Sequence, residues 1–141
     1  MCCRDQRIHL NEFVHAESRF RPGECYSRKE IAEDLGGSDI NYLPRVGDRI
    51  VCGCFTLEHN PDAPNVIIPG TGPEIEYTAK LFCEQKEAVP VFVKKQAGAW
   101  EYVGDYRVKS HANDKESIVR HHSLSITPVE KVTRVMFLER C

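Results

Sequence analysis

Three aromatic residues, Trp100, Tyr102 and Tyr106, fall within seven positions and sit beside Lys94, Lys95, Arg107 and Lys109. Flat π-faces bordered by cations are what stacking on nucleobases and holding phosphates require. Alternate residues of a strand share a face, so Trp100 and Tyr102 are expected side by side. A hairpin whose Trp and Tyr rings pack a core, with only their polar tips at the surface, fits the same residues. Asn60-Pro61-Asp62-Ala63-Pro64 forms a second cluster. An amide and a carboxylate on a proline-stiffened loop can read the edge of a base turned out of its stack. A plain surface turn has the same composition. With Tyr42, the candidate nucleic-acid-binding residues are Tyr42, Asn60, Asp62, Lys94, Lys95, Trp100, Tyr102, Tyr106 and Arg107. One concavity gathering Trp100, Tyr42 and Asp62 would favour base binding.

Other chemistry has thinner support. The sequence holds no phosphate loop, dinucleotide fingerprint, nucleophile elbow or HExxH motif. Gly70-Thr71-Gly72 would open a helix and offer N–H groups to an anion, but no lysine follows and it reads as a turn. Cys3, His9 and His15, with Cys2 or Cys25 as a fourth ligand, have zinc-type chemistry without a CxxC pair to anchor them. No metal, cofactor or catalytic residue is therefore assigned. Cys52, Cys54 and Cys83 lie in apolar segments and read as small core residues. Cys2, Cys3, Cys25 and Cys141 read as exposed. Without an export signal, all seven cysteines are expected free or metal-bound. His121-His122 reads as a solvated pair.

The elements that must position these residues are short. Ser27-Arg28-Lys29-Glu30 is a capping box, with Ile31, Ala32 and Leu35 as an apolar stripe and Gly36-Gly37 as a stop. That predicts a helix over 28–35. A strand is expected at 49–57, a polar loop at 58–64 and a strand at 66–68. Pro73 in a first turn starts a second helix over 73–85. Strands follow at 89–95 and 99–103, joined by Gln96-Ala97-Gly98. Gly104-Asp105 is expected to turn before 106–108. Asn113-Asp114 would cap a third short helix through Val119, and a last strand spans 131–138. A short helix or strand is possible near 8–17. The expected class is α+β, mainly β: a small pseudo-barrel of five or six mostly antiparallel strands, with two or three short helices plugging its ends. One domain is expected over 1–141, with an extension over 1–24, a core over about 25–110 and a helix and strand over 111–141.

Charge and length bound the partners. The chain has 141 residues, 19 Lys and Arg against 21 Asp and Glu, and a net charge of −2. Strongly basic phosphate-driven binding is excluded. The segment 89–111 is locally positive, with four bases against two acids, which suits an anion-facing edge or a solvated strand face. No apolar run is long enough to cross a bilayer as a helix, and no signal-type N-terminus is present. A soluble intracellular protein, cytoplasmic or nucleus- or nucleoid-associated, with no membrane partner, is expected.

Two stretches carry a resemblance. They are Tyr26-Ser27-Arg28-Lys29-Glu30-Ile31 with Leu35-Gly36-Gly37, and Val91-Phe92-Val93-Lys94-Lys95 with Trp100-Glu101-Tyr102-Val103-Gly104-Asp105-Tyr106-Arg107-Val108. Over roughly 26–108 the chain is similar to PUA-like domains, including the SRA-like readers attached to HNH nucleases in modification-dependent restriction proteins. The resemblance implies a compact pseudo-barrel that reads nucleic acid, often a modified base turned out of the helix, with DNA ahead of RNA. It also implies a protein partner supplying nuclease activity, since no nuclease motif is present here. A small hydrolase acting on a nucleoside or nucleic acid, drawing on Lys94, Asp62 and Glu101, and a protein-interaction domain of a larger assembly stand as alternatives.

Overall fold

Local signals set the helices. The computed structural model describes residues 19–141; the Cys3, His9 and His15 set, Cys2 and the segment 8–17 lie outside them. A two-residue strand β1 (Cys25–Tyr26) leads into helix α1 (Arg28–Leu35). Ser27 Oγ accepts from Glu30 N–H at 3.0 Å, and the Glu30 carboxylate accepts from Ser27 N–H at 2.9 Å. This is the reciprocal cap that the sequence predicts. Helix α2 (Pro73–Glu84) starts behind Gly72 with Pro73 in its first turn, and α3 (Lys115–His122) starts from Asp114, whose carboxylate accepts from Ser117 N–H. The remaining elements are β2 (Arg45–Val46), β3 (Arg49–Ile50), β4 (Gly53–Phe55), β5 (Val66–Ile67), β6 (Val89–Gln96), β7 (Ala99–Ala112) and β8 (Val135–Arg140), with a 3-10 turn at Val129–Lys131.

Six strands form the main sheet, in the order β4-β6-β7-β8-β5, with β1 also paired to β7; β2 and β3 form a separate ribbon. Only β4 and β6 run parallel in the main sheet; its other pairs are antiparallel. Long β7 is the spine. It carries β6 along one edge and β1, then β8, along the other. The expected mainly-β α+β class is observed, but the described sheet is open and does not close into a barrel. The helices cover its faces instead of plugging barrel ends. Ala79 and Phe82 of α2 pack with Val89, Val91, Met136 and Leu138, whereas Ile31 of α1 packs with Phe92, Trp100 and Tyr102.

Two local expectations change. The stretch 49–57 is not one strand: β3 belongs to the ribbon and β4 to the sheet. Between them the Gln85 side chain bonds both the N–H and the C=O of Ile50, at 2.9 and 3.0 Å. A side chain thus does what a neighbouring strand would do. Gly104-Asp105 is no turn either. Val91 pairs with Gly104 and Phe92 with Tyr102, so Val103 is an extra residue in a bulge. Gly104 has φ +128° there, and an added Cβ would stand 2.6 Å from Arg140 Nε.

The cysteines also divide. Cys52 and Cys54 are core residues and Cys83 is half-buried. Cys25, Cys52, Cys54 and Cys83 are free thiols. Cys141 is buried and disulfide-bonded, against the expectation of an exposed, free thiol.

Strand β4 tolerates no added bulk. A Cβ on Gly53 would lie 2.7 Å from Cζ and 2.9 Å from Cε2 of Phe55, a ring with no exposure to yield into. Gly53→Ala is expected to destabilise the protein by about 1–3 kcal/mol, read as a lower urea midpoint at unchanged m-value.

Candidate nucleic-acid interface

A cavity of about 1070 Å³ opens between α1, the start of α2, the β6–β7 hairpin and the segments 39–42, 54–60, 68–71 and 126–131. Of the nine predicted residues it gathers Tyr42, Asn60, Lys94 and Trp100. Asp62, Lys95, Tyr102, Tyr106 and Arg107 are not among its lining residues.

The reasons are physical. Tyr102 shares a face with Trp100, as alternation requires, but its ring is buried against Phe20 and Phe92 and its hydroxyl donates to Asp105 at 2.7 Å. In a regular strand Tyr106 would share that face too. The bulge at Val103 shifts the alternation by one residue, so Tyr106 packs into the opposite core with Val89 and Val91. Lys95 pairs with Glu101 at 3.1 Å and Arg107 with Glu139 at 2.6 Å. Asp62 is an exposed turn residue whose backbone carbonyl accepts from Asn65 and Val66.

Trp100 is 8% exposed. Its ring lies under two cations, with Arg28 Cζ at 5.1 Å and Lys94 Nζ at 5.7 Å from a ring centroid. It is a buried wall held by cation–π contacts, not an open stacking platform. Tyr42 is fixed at both ends. Its carbonyl accepts from Cys54 N–H beside β4, and its hydroxyl donates to the Ile75 carbonyl of α2 at 2.7 Å. Burial pushes that hydroxyl's pKa well up, so it remains a neutral donor. Asn60 is 6% exposed. Its Oδ1 accepts from Ile68 N–H at 2.8 Å, while its Nδ2 has no hydrogen-bond partner among the described residues.

Two rim loops escaped the sequence reading. Arg28 donates to the carbonyls of Ser38 and Asn41 at 3.2 and 2.7 Å. Ser38 Oγ accepts from Ile40 N–H and Asn41 N–H, both at 3.0 Å. This loop presents Ile40 at 82% exposure. On the other side of the cavity Ile126 N–H donates to the Glu58 carbonyl at 2.9 Å and Ser125 Oγ to the His59 carbonyl at 2.6 Å. Thr127 is held twice: its hydroxyl shares a hydrogen bond with His59 Nδ1 at 2.9 Å, and its carbonyl accepts from His122 Nε2. His122 is therefore a strut, and His121 meets Phe137 edge-on at 5.0 Å; neither is merely solvated. Ile126 stands 63% exposed. The available signal was an isolated isoleucine inside a polar turn, in Ser38-Asp39-Ile40-Asn41 and Ser125-Ile126-Thr127.

Charge on the cavity is mixed. Arg28, Lys94 and Lys131 line it, as do Asp39 and Glu74. Glu74 is clamped by Arg45 through bonds of 2.8 and 3.1 Å. The guanidinium holds that carboxyl below its ordinary pKa. Among the described residues no group of three or more His, Cys, Asp or Glu could hold a metal ion, and no helix is long and apolar enough to cross a membrane.

Asn60 and Asp62 should separate by stability. Asn60→Ala would orphan the buried Ile68 N–H and is expected to cost about 1–3 kcal/mol. Asp62→Ala should stay within about 0.5 kcal/mol of wild type. Urea denaturation of the two variants checks both.

No curated protein matches the chain. Among solved structures, the SUVH5 SRA domain in complex with hemi-methylated CG DNA overlays at TM-score 0.58 with 15% identity, over 86% of this chain and 88% of that one. KRYPTONITE, in complex with mCHG DNA and SAH, overlays at TM-score 0.56 with 14% identity, over 86% of this chain and 32% of that one. The Type IV phosphorothioation-dependent restriction endonuclease ScoMcrA overlaps at TM-score 0.48 with 14% identity, over 84% and 25% of the two chains. The first two overlays show an SRA-like fold. Residues 25–120 match the profile of a family described as a domain of unknown function, DUF6697, and the chain belongs to that family.

Proposed function

We propose that this domain binds DNA and receives one modified base, extruded from the duplex, in the cavity beneath its rim loops. The observation that carries the reading is that cavity, lined by three cations and two carboxylates and bordered by two exposed isoleucines, on an SRA-like fold. Both of the closer structural neighbours are described as complexes with methylated DNA. A base inside a duplex cannot reach such a cavity, and turning it out costs a few kcal/mol of stacking and pairing. Ile40 and Ile126 are the groups that can offset that cost, by filling the gap and covering the neighbouring bases. Lys94 and Lys131 are exposed at the cavity and serve the phosphates. Lys95 and Arg107 are assigned no role, because they lie outside the cavity lining and are paired with Glu101 and Glu139. Trp100 supports the wall through Arg28 and Lys94. The domain recognises, and a separate protein supplies any cutting. The hydrolase alternative has little support: Lys94 lines the cavity, while Asp62 and Glu101 do not.

The test is a titration of methylated and unmodified duplexes at two or more salt concentrations, with 2-aminopurine beside the modified base. Wild type is expected to bind the methylated duplex with brightening of 2-aminopurine. Lys94→Ala and Lys131→Ala should each lower the slope of log affinity against log salt by about 1. Ile40→Ser and Ile126→Ser should reduce the brightening. Failure to bind any duplex at tens of micromolar protein would overturn the reading.

A further inference from the structure

We propose that this cavity prefers a base carrying a hydroxyl-rich substituent of glycosyl size over one carrying a bare methyl group; this rests on the base-reading proposal above. Size is the first argument. The cavity's volume of about 1070 Å³ reaches the top of the roughly 300–1,000 Å³ range of pockets that enclose drug-sized ligands. A methylated pyrimidine with its deoxyribose fills only part of such a space.

Unspent polar groups are the second argument. Asp39, Asn41 and Asn60 all line the cavity. Among the described residues, the carboxylate of Asp39 and the side-chain amide of Asn41 make no hydrogen bond or ion pair. Asn60 bonds Ile68 through Oδ1 and keeps both Nδ2 hydrogens for the cavity. Asn60 is buried, so a ligand that leaves its Nδ2 unpaired is penalised, whereas Asp39 and Asn41 are exposed and add contacts at the edge of the site. A methyl group offers them nothing. Sugar hydroxyls suit them, because each hydroxyl can donate to a carboxylate and accept from an amide.

Asp39 and Asn41 belong to the 38–41 loop and Lys94 and Lys131 to other segments of the cavity lining, so the two roles are separated by substitution. The full chain is titrated with matched duplexes holding one 5-methylcytosine, one 5-hydroxymethylcytosine or one glucosylated 5-hydroxymethylcytosine. The glucosylated duplex should bind at least about tenfold more tightly than the methylated one, the equivalent of one charged hydrogen bond at roughly 1.4 kcal/mol per decade. Asp39→Ala and Asn41→Ala change exposed loop side chains, and their folding is checked by circular dichroism and thermal melting. Each should lower the ratio of glucosylated to methylated affinity severalfold. Equal or tighter binding of the methylated duplex overturns this inference and leaves base reading standing. A preference for the glucosylated duplex that neither variant moves also overturns it, because the groups named would not be its source. Binding of no duplex overturns both proposals.

Discussion

One extra residue in β7 sets the two-sided construction of the domain. Val103 has no partner in β6, and Gly104 takes a conformation that glycine alone adopts easily. Before the bulge, Trp100 and Tyr102 face α1; after it, Tyr106 faces the core under α2. A strand with strict alternation would send all three rings to one face and starve the other. Arg140 packs so closely over Gly104 that its side chain occupies the place of a Cβ. The same segment of chain therefore serves both faces of the sheet, with α2 on one and α1 on the other, while Ile118 of α3 packs with Val135 of β8.

Arg28 links the helix cap to the cavity. The capping box fixes the first turn of α1, and that turn projects the guanidinium over Trp100 and onto two carbonyls of the 38–41 loop. Its Nε is buried without a hydrogen-bond partner among the described residues, a residual cost of holding a charge at this point. The charge is placed where it orders a loop and covers a ring at once. Loss of this side chain would loosen a rim and expose a wall together.

The opposite rim is held by polar struts from distant parts of the chain. His59 and His122 converge on Thr127 from either side of a 63-residue separation. Ser125 and Ile126 dock on the backbone of Glu58 and His59. Both rims thus keep ordered backbones while presenting isoleucines to solvent, an arrangement that costs hydrophobic free energy in the isolated domain. It also separates the charges. Glu74 is neutralised by Arg45, and Lys95 and Arg107 by strand neighbours, so among the described residues positive charge uncommitted to a carboxylate at the cavity falls to Arg28, Lys94 and Lys131.

Much of the local architecture is written within a few residues. Ser27 and Glu30 make their cap across three positions, Pro73 needs only its own ring, and Asp114 finds Ser117 one turn on. The strands at 89–95 and 99–103 are likewise readable from alternation and from the Gln96-Ala97-Gly98 connection, whereas the continuation of β7 through Gly104-Asp105 to Ala112 is not. Tyr42, Asn60, Lys94 and Trp100 were chemically marked, and tertiary structure brought them to one cavity. It also decided what composition cannot express. Whether Trp100 is a platform or a wall depends on Arg28, seventy-two positions away. Whether Lys95 and Arg107 are available depends on the partners that strand register gives them. Whether Tyr106 joins Tyr102 depends on a single unpaired residue in β7. Caps and turns are short-range hydrogen bonds and survive in a linear reading. Register, burial and charge pairing arise between segments that meet only when the chain has folded, and they determined which marked residues came together at the cavity.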